Sequence, residues 1–425
     1  MKLFINFINS FKNFFKKIFL KNKIINEEYV EIVNLMTDDI KNGNFENFEA
    51  YNKIKEYDLF DEDYYLKQCT FKPEIDSLIH YIYKGHKMNL NPCKLFNTSF
   101  YRSRSNTGKN ENPLVYFVNY GIYEGVTQVN KDIWQPPAIN RFELDKKIKK
   151  FKFFGINQEE RKTKIIVSLT SYPKRIHEIK YTIYSLLNQE VKPDKLVLWL
   201  SKNEFPNREQ DLPKELLKFL KCGLTIRWCD TLKSYKKLLP SLKSYPNEVI
   251  VTADDDLYYP KEWLKLLYDY HIQYPNEILT HRSRRISFNE NNIKKYLEWE
   301  LCQKEEEASF LNFFTTGGGV LFPPNSLSKI VENKEIYEKI CPTGDDIWFW
   351  GMAILKDTKI RVVKNNLFIV TYVNPARDIV FNKDTLWSYN EKHNDEQFKA
   401  LFDKYPEIYK KILKDNRINS TNQEE

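Results

Sequence analysis

From residue 162 onward, short apolar runs alternate with stretches whose apolar residues recur at helical spacing. Ile165-Ile166-Val167-Ser168-Leu169 and residues 195–200, 224–228 and 248–252 are rich in β-branched and aliphatic residues and too short for buried helices, which predicts strands. Between them, residues 176–187, 212–220 and 232–242 read as helices, the last interrupted by Pro240. Strands spaced by helices predict an α/β fold, a Rossmann-like and mostly parallel sheet with helices on both faces. Ligands on such a sheet gather where the strands end.

Upstream, the pattern repeats. Leu59-Phe60-Asp61-Glu62-Asp63-Tyr64-Tyr65 aligns with Leu95-Phe96-Asn97-Thr98-Ser99-Phe100-Tyr101. Leu78-Ile79-His80-Tyr81, ending at Gly85, aligns with Leu114-Val115-Tyr116-Phe117, ending at Gly121, at the same offset of 36 residues. Each unit is expected to hold a short Tyr-rich helix and a second helix stopped by glycine in a left-handed C-cap. His80, a tyrosine in the second unit, reads as a packing residue. The expected organisation is an amphipathic basic helix at 1–24, a helical module at 25–130, a linker and polar helix at 131–160, an α/β domain at 161–410 and a polar, fraying tail at 411–425.

In the first segment, Phe4, Phe7, Ile8, Phe11, Phe14, Phe15, Ile18 and Phe19 recur at helical spacing. Lys12, Lys16 and Lys17 fall mainly on the other side, and the first acidic residue is Glu27. Such a helix lies on a membrane surface or docks on protein. The whole chain of 425 residues, 42% hydrophobic and 29% charged, can fill a sizeable core and is neither a disordered tail nor a membrane-spanning protein. A net charge of +8 suits an anionic membrane or a phosphate-bearing substrate as well as nucleic acid. Six cysteines without a CxxC pair point to free thiols in a cytoplasmic protein.

The strongest chemical signal is Val249-Ile250-Val251-Thr252-Ala253-Asp254-Asp255-Asp256. Adjacent carboxylates at the mouth of a sheet repel one another and call for a cation. Oxygen ligands of this kind suit Mn2+ or Mg2+, which can also hold a diphosphate. Alone, the triplet would read as a solvated loop; its place directly after a strand favours the site. A second pair, Asp345-Asp346, stands before Ile347-Trp348-Phe349-Trp350 at a helix start. It reads as a helix cap or, paired with the first cluster, as the source of a general base. Between the two lies Thr315-Thr316-Gly317-Gly318-Gly319, which brings backbone close to a ligand or simply turns. His281-Arg282-Ser283-Arg284-Arg285 is a phosphate or acceptor contact, or a solvated rim, with His281 a candidate metal ligand. Trp199, Trp348, Trp350 and Trp387 are core residues or a sugar-stacking platform.

With these residues in view, the segment from about 163 to 400 resembles a GT-A-type glycosyltransferase, of the family-2-like group that builds bacterial surface polysaccharides. Ser168-Leu169-Thr170-Ser171-Tyr172-Pro173 with Arg175 resembles the opening strand and nucleotide-binding loop, and residues 192–200 resemble the second strand. The resemblance implies donor contacts from Thr170, Tyr172, Arg175 and Lys237, metal ligation by Asp256, and a nucleotide-side place for Asp254, with Asp255 beside it. It implies an acceptor side at Gly318, Gly319 and Trp348, and Asp346 as the base beside Asp345, where the family more often has Glu-Asp. The implied partners are a nucleotide-sugar, with UDP-sugars favoured, and a glycan or lipid-linked glycan acceptor. The implied setting is the cytoplasmic side of the inner membrane, with no nucleic acid. Similar helical repeats occur beside such domains.

Rival readings are open at this point. A glycosidase would use separated carboxylates without needing an acidic triplet. An aspartyl phosphotransferase would use one Asp after a strand. A retaining transferase, or a transferase-like scaffold that binds glycans without activity, would keep the fold.

Overall fold

The computed structural model of the chain describes residues 27–108, 110–132, 137–302, 304–364, 371–374 and 386–424. The basic–aromatic segment at 1–24 lies outside the described residues. The chain divides into two compact units, Met1–Gly121 with Gln128–Trp134 and Ile122–Thr127 with Gln135–Glu425.

In the first unit the repeat is visible in its hydrogen bonds. Asp61 Oδ1 accepts the Tyr64 N–H at 2.9 Å, and Asn97 Oδ1 accepts the Phe100 N–H at 2.9 Å, each starting a short helix. Asp76 and Asn112 cap the second helices in the same way, on Ile79 at 3.0 Å and on Leu114 at 2.8 Å. Each unit closes over an edge-on aromatic pair, Tyr65 with Tyr81 at 5.7 Å and Tyr101 with Phe117 at 5.3 Å. The expected left-handed glycine caps are not formed: neither Gly85 nor Gly121 has positive φ. Their glycine has another cause. A Cβ would stand 2.1 Å from the Tyr65 hydroxyl at Gly85 and 1.9 Å from the Tyr101 hydroxyl at Gly121. His80 is buried and meets the Tyr65 hydroxyl at 2.6 Å.

The second unit is built on an eight-stranded sheet. Its strands are β1 (Ile165–Thr170), β2 (Lys195–Ser201), β3 (Leu224–Cys229), β4 (Val249–Thr252), β5 (Ile278–Thr280), β6 (Glu306–Ser309), β7 (Val320–Phe322) and β8 (Ile360–Val362). They lie in the order β6-β8-β5-β7-β4-β1-β2-β3. β1 to β5 and β8 run parallel; β7 opposes β4 and β5, and β6 opposes β8.

Because strand side chains alternate, one strand feeds two cores. Ile165, Val167 and Leu169 enter one apolar cluster with helices Ile179–Leu187 and Trp263–Gln273. Ile166, Val197 and Ile250 enter the other, with helix Asp345–Leu355. That explains why the strands read as continuous apolar runs. The result is the expected α/β fold, a mostly parallel mixed sheet flanked by helices in a Rossmann-like, GT-A-type arrangement. Beyond residue 410, where a fraying tail was expected, helix Pro406–Glu424 continues. Ile408 and Ile412 are fully buried, and Asp415 accepts the Ser309 hydroxyl and the Phe310 N–H at 2.6 and 2.8 Å.

Candidate active site

β4 ends at Thr252, and the chain passes through buried Ala253 into Asp254-Asp255-Asp256 at the end where the parallel strands finish. Burial separates the three. Asp255 points inward and is almost fully buried. Its carboxylate accepts the Ser171 hydroxyl at 2.5 Å and faces the Arg175 guanidinium at 3.3 Å, while its carbonyl accepts the Thr182 hydroxyl at 2.9 Å. Burial raises its pKa above the ordinary carboxylate value, against the opposing pull of Arg175 and Ser171. Asp255 thus anchors the loop. Asp256 pairs with Arg175, which stands on the turn following β1. Asp254 retains the most exposure of the three, with 34% of its side chain open.

Asp254 Oδ1 accepts from Lys237 Nζ at 2.7 Å. That lysine is the hinge of the arrangement: its ammonium also donates to the Thr316 hydroxyl at 2.8 Å and lies 3.5 Å from Asp345 Oδ2. Burial, the largest influence, works against its charge, but Asp254, Asp345 and Asp346 together raise its pKa above the usual lysine value. Its backbone is fixed from below, where Ser168 of β1 donates to the Lys237 carbonyl at 2.6 Å. The neighbouring Lys236 turns away to pair with Glu204.

Thr316 completes the link. Its hydroxyl and its N–H both donate to Asp346 Oδ1, at 2.5 and 2.9 Å. Asp346 Oδ2 has no hydrogen-bond partner among the described residues. Burial first, then the adjacent Asp345, push the Asp346 carboxyl up to about 7. The acidic run after β4 and the acidic pair that opens helix Asp345–Leu355 therefore meet across one buried lysine.

The glycines between them are required by packing. A Cβ at Gly317 would meet Asp254 Oδ2 at 2.2 Å, and one at Gly318 would meet the Arg282 side chain at 2.6 Å. Gly319 has φ +110 and its Cβ would strike the Trp263 indole at 2.4 Å. Buried Tyr259 ties the two segments, accepting the Asp254 N–H at 2.8 Å and donating to the Gly317 carbonyl at 2.7 Å.

Other expected residues stand elsewhere. Thr170 is half-buried at the end of β1, its hydroxyl on the Trp199 carbonyl at 2.8 Å, and the Tyr172 ring lies beside Arg175. His281, a candidate metal ligand, is instead fully buried: its Nε2 meets the Trp263 carbonyl at 2.9 Å and its ring stacks on that indole. Burial lowers its pKa to about 4, so it is neutral near pH 7. Trp348, expected on the acceptor side, is corrected likewise, because it is sealed in the core with its N–H on the Val331 carbonyl at 2.9 Å. Trp199 and Trp350 are also core residues, bonded to Ser241 and Phe310; the Trp387 side chain lies outside the described residues. Arg284 and Arg285 are bonded to the Trp299 carbonyl and the Asn312 amide.

Among the described residues no group of three or more His, Cys, Asp or Glu side chains converges as a metal cage. The donor set nevertheless fits a divalent cation that takes part of its shell from a substrate. Asp254 and Asp256 offer only oxygen, and the carboxylates at 254–256 and 345–346 outnumber the cations Lys237 and Arg175 that meet them. Ser171, Tyr259 and Thr316 were not singled out by sequence reasoning. The signal for Ser171 and Thr316 was present, as polar residues inside an apolar and a glycine-rich motif, and Tyr259 follows the acidic triplet by three residues.

No family model and no curated protein matches the chain. Partial likenesses to solved structures include S. aureus TarS 1–349, 15% identical over 56% of this chain and 72% of that chain, with a TM-score of 0.35. The mannosyltransferase PcManGT from Pyrobaculum calidifontis, solved with GDP-Man and Mn2+, is 13% identical over 65% of this chain and 75% of that one, with a TM-score of 0.37. The inositol-1-phosphate CTP transferase from T. maritima is 14% identical over 57% and 98%, with a TM-score of 0.32.

Proposed function

We propose that this chain is an inverting glycosyltransferase that moves a sugar from a nucleotide-sugar, with UDP-sugars favoured, onto a hydroxyl of a glycan or lipid-linked glycan. Its setting would be the synthesis of capsule, lipopolysaccharide or a related bacterial surface polysaccharide, at the inner face of the cytoplasmic membrane. The observation that carries the reading is the meeting of two acidic clusters across Lys237, at the end of the parallel strands. One cluster suits a donor diphosphate with its cation; the other holds a carboxyl whose pKa, about 7, suits a general base.

Each residue then has a task. Thr316 orients Asp346 through Oδ1, leaving Oδ2 to take the proton of the acceptor hydroxyl. The freed oxygen attacks the anomeric carbon from the face opposite the diphosphate, and the bond from that carbon to the diphosphate oxygen breaks. One displacement inverts the centre. Asp256, with Asp254, would hold Mn2+ or Mg2+, which when bound offsets charge on the leaving diphosphate. Arg175, paired with Asp256, and Lys237, paired with Asp254, would add fixed positive charge there. Asp255 holds the loop rigid beneath them.

The test is a screen of nucleotide-sugars for Mn2+- or Mg2+-dependent nucleotide release with candidate acceptors. Full transfer by both Asp256→Ala and Asp346→Ala would sink the assignment.

A further inference from the structure

The segment leading into the sheet carries a surface that the proposed chemistry does not use. Helix Arg141–Lys150 ends in a last turn with exposed Lys147, Lys149 and Lys150 and runs into an irregular stretch that begins with Phe151 and exposed Lys152. None of these lysines has an ion-pair partner among the described residues, and no acidic residue intervenes between Asp145 and Glu159. Phe151 turns inward against Tyr184 and Phe219, at 5.1 and 6.1 Å between ring centres. Four residues on, the Gly155 N–H donates to the Cys222 carbonyl at 2.8 Å, in a place where a Cβ would meet Leu187 at 2.6 Å.

Between those two anchors the chain holds two aromatic side chains outward. Phe153 is 76% exposed and Phe154 is 51% exposed, the only sequence-adjacent pair among the exposed large hydrophobics of the described residues. The same anchors run the stretch alongside the turn Lys218–Cys222, where Leu220 is 42% exposed and Lys218 and Lys221 face solvent. Apolar side chains held out by a pinned backbone and flanked in the chain by exposed lysines match what an anionic bilayer offers, an apolar interface beneath a negative surface. Protein interfaces are depleted in lysine, which makes a protein partner the poorer fit.

We propose that this surface docks on an anionic lipid bilayer, with Phe153, Phe154 and Leu220 entering the interface and the surrounding lysines at the level of the headgroups. The fold accommodates this. Gly155 and Asn157 bond to Cys222 and Pro193, just before β3 and β2, so the surface lies where the strands begin. The carboxylate site lies where they end, and docking leaves its mouth open to water.

Flotation of the full chain with vesicles of phosphatidylcholine, with and without phosphatidylglycerol, tests the proposal. Binding is expected to need the anionic lipid and to weaken with salt. Phe153→Ser with Phe154→Ser should lower the partition coefficient by about tenfold, and Lys149→Glu with Lys150→Glu and Lys152→Glu by about a hundredfold. These side chains are exposed, so circular dichroism and vesicle-free nucleotide release should be unchanged. Unchanged partition in either variant overturns the proposal, since binding would then rest on another part of the chain. Equal partition onto neutral vesicles overturns it too, as does loss of self-association or of protein capture with vesicle binding intact. Absence of nucleotide release in the parent chain would count against the transferase reading alone.

Discussion

The helical repeats and the end of the parallel sheet use the same residue type in opposite ways. In the repeats, Asp61 and Asp76, like Asn97 and Asn112 in the second unit of the repeat, each accept a backbone N–H at a helix start. At the sheet, five aspartates crowd around two cations, and one of them keeps its proton to near pH 7. A carboxylate satisfied by backbone donors contributes stability; carboxylates packed against each other store repulsion that only a ligand, a cation or a proton relieves. The first pattern builds a fold, and the second is what chemistry needs.

That contrast can be broken by mutation. The largest effect is expected from Asp346→Asn, which keeps the acceptor for Thr316 and removes the base. Turnover should fall by about a thousandfold, measured as steady-state nucleotide release, while the parent's rate rises with pH and levels off above about 7. The sign for stability is the reverse. A carboxyl whose folded pKa is raised binds more protons folded than unfolded, so its favourable contribution is present at low pH and is lost as pH rises from the unfolded value of 3.8 towards about 7. Asp346→Asn should therefore match or exceed the parent's melting temperature at pH 8. A fall there would show that Asp346 is a structural carboxylate like those of the repeats.

Lys237→Met should come next. It strips the buried cation from Asp254 and Asp345 and is expected to cost about 3–5 kcal/mol in urea unfolding of the sheet unit, with loss of activity. Retained stability would mean that the acidic cluster tolerates its own repulsion. In the repeats, Gly121→Ala should cost about 1–3 kcal/mol, because its Cβ overlaps the Tyr101 hydroxyl. Tyr101→Phe in the same chain should recover part of that loss, which a glycine needed for a left-handed cap would not permit. Smallest of all, Asn97→Ala removes one cap and should lower stability by about 1 kcal/mol without changing nucleotide release.

Much of this was legible in the chain. The repeat offset survives as matched caps and matched aromatic pairs because both are local, set by residues a few positions apart. Strands β1, β2 and β4 were legible because they are buried on both faces and so are mainly apolar, whereas the edge strand β3 is half-exposed and carries Thr225 and Arg227. The glycines at 85 and 121 were legible as glycines but not in their cause, since the tyrosine hydroxyls that exclude a side chain come from another helix. His281 and Trp348 misled for a related reason: a polar or aromatic residue beside a motif reads as a ligand contact until its burial is known.

By itself, the sequence determined the alternation of strands and helices, the doubled helical unit, and two acidic clusters at ends of elements, because periodicity and capping are short-range. Only the tertiary structure decided which carboxylate anchors and which faces outward, that Lys237 bridges Asp254 and Asp345, and that Thr316 hands the link on to Asp346. Those relations join residues 17 to 108 positions apart in the chain, and they arise where β1, β4 and the helix at Asp345 bring their ends together. Side-chain chemistry is written in the chain, whereas the distances and burial that turn it into a site come from packing.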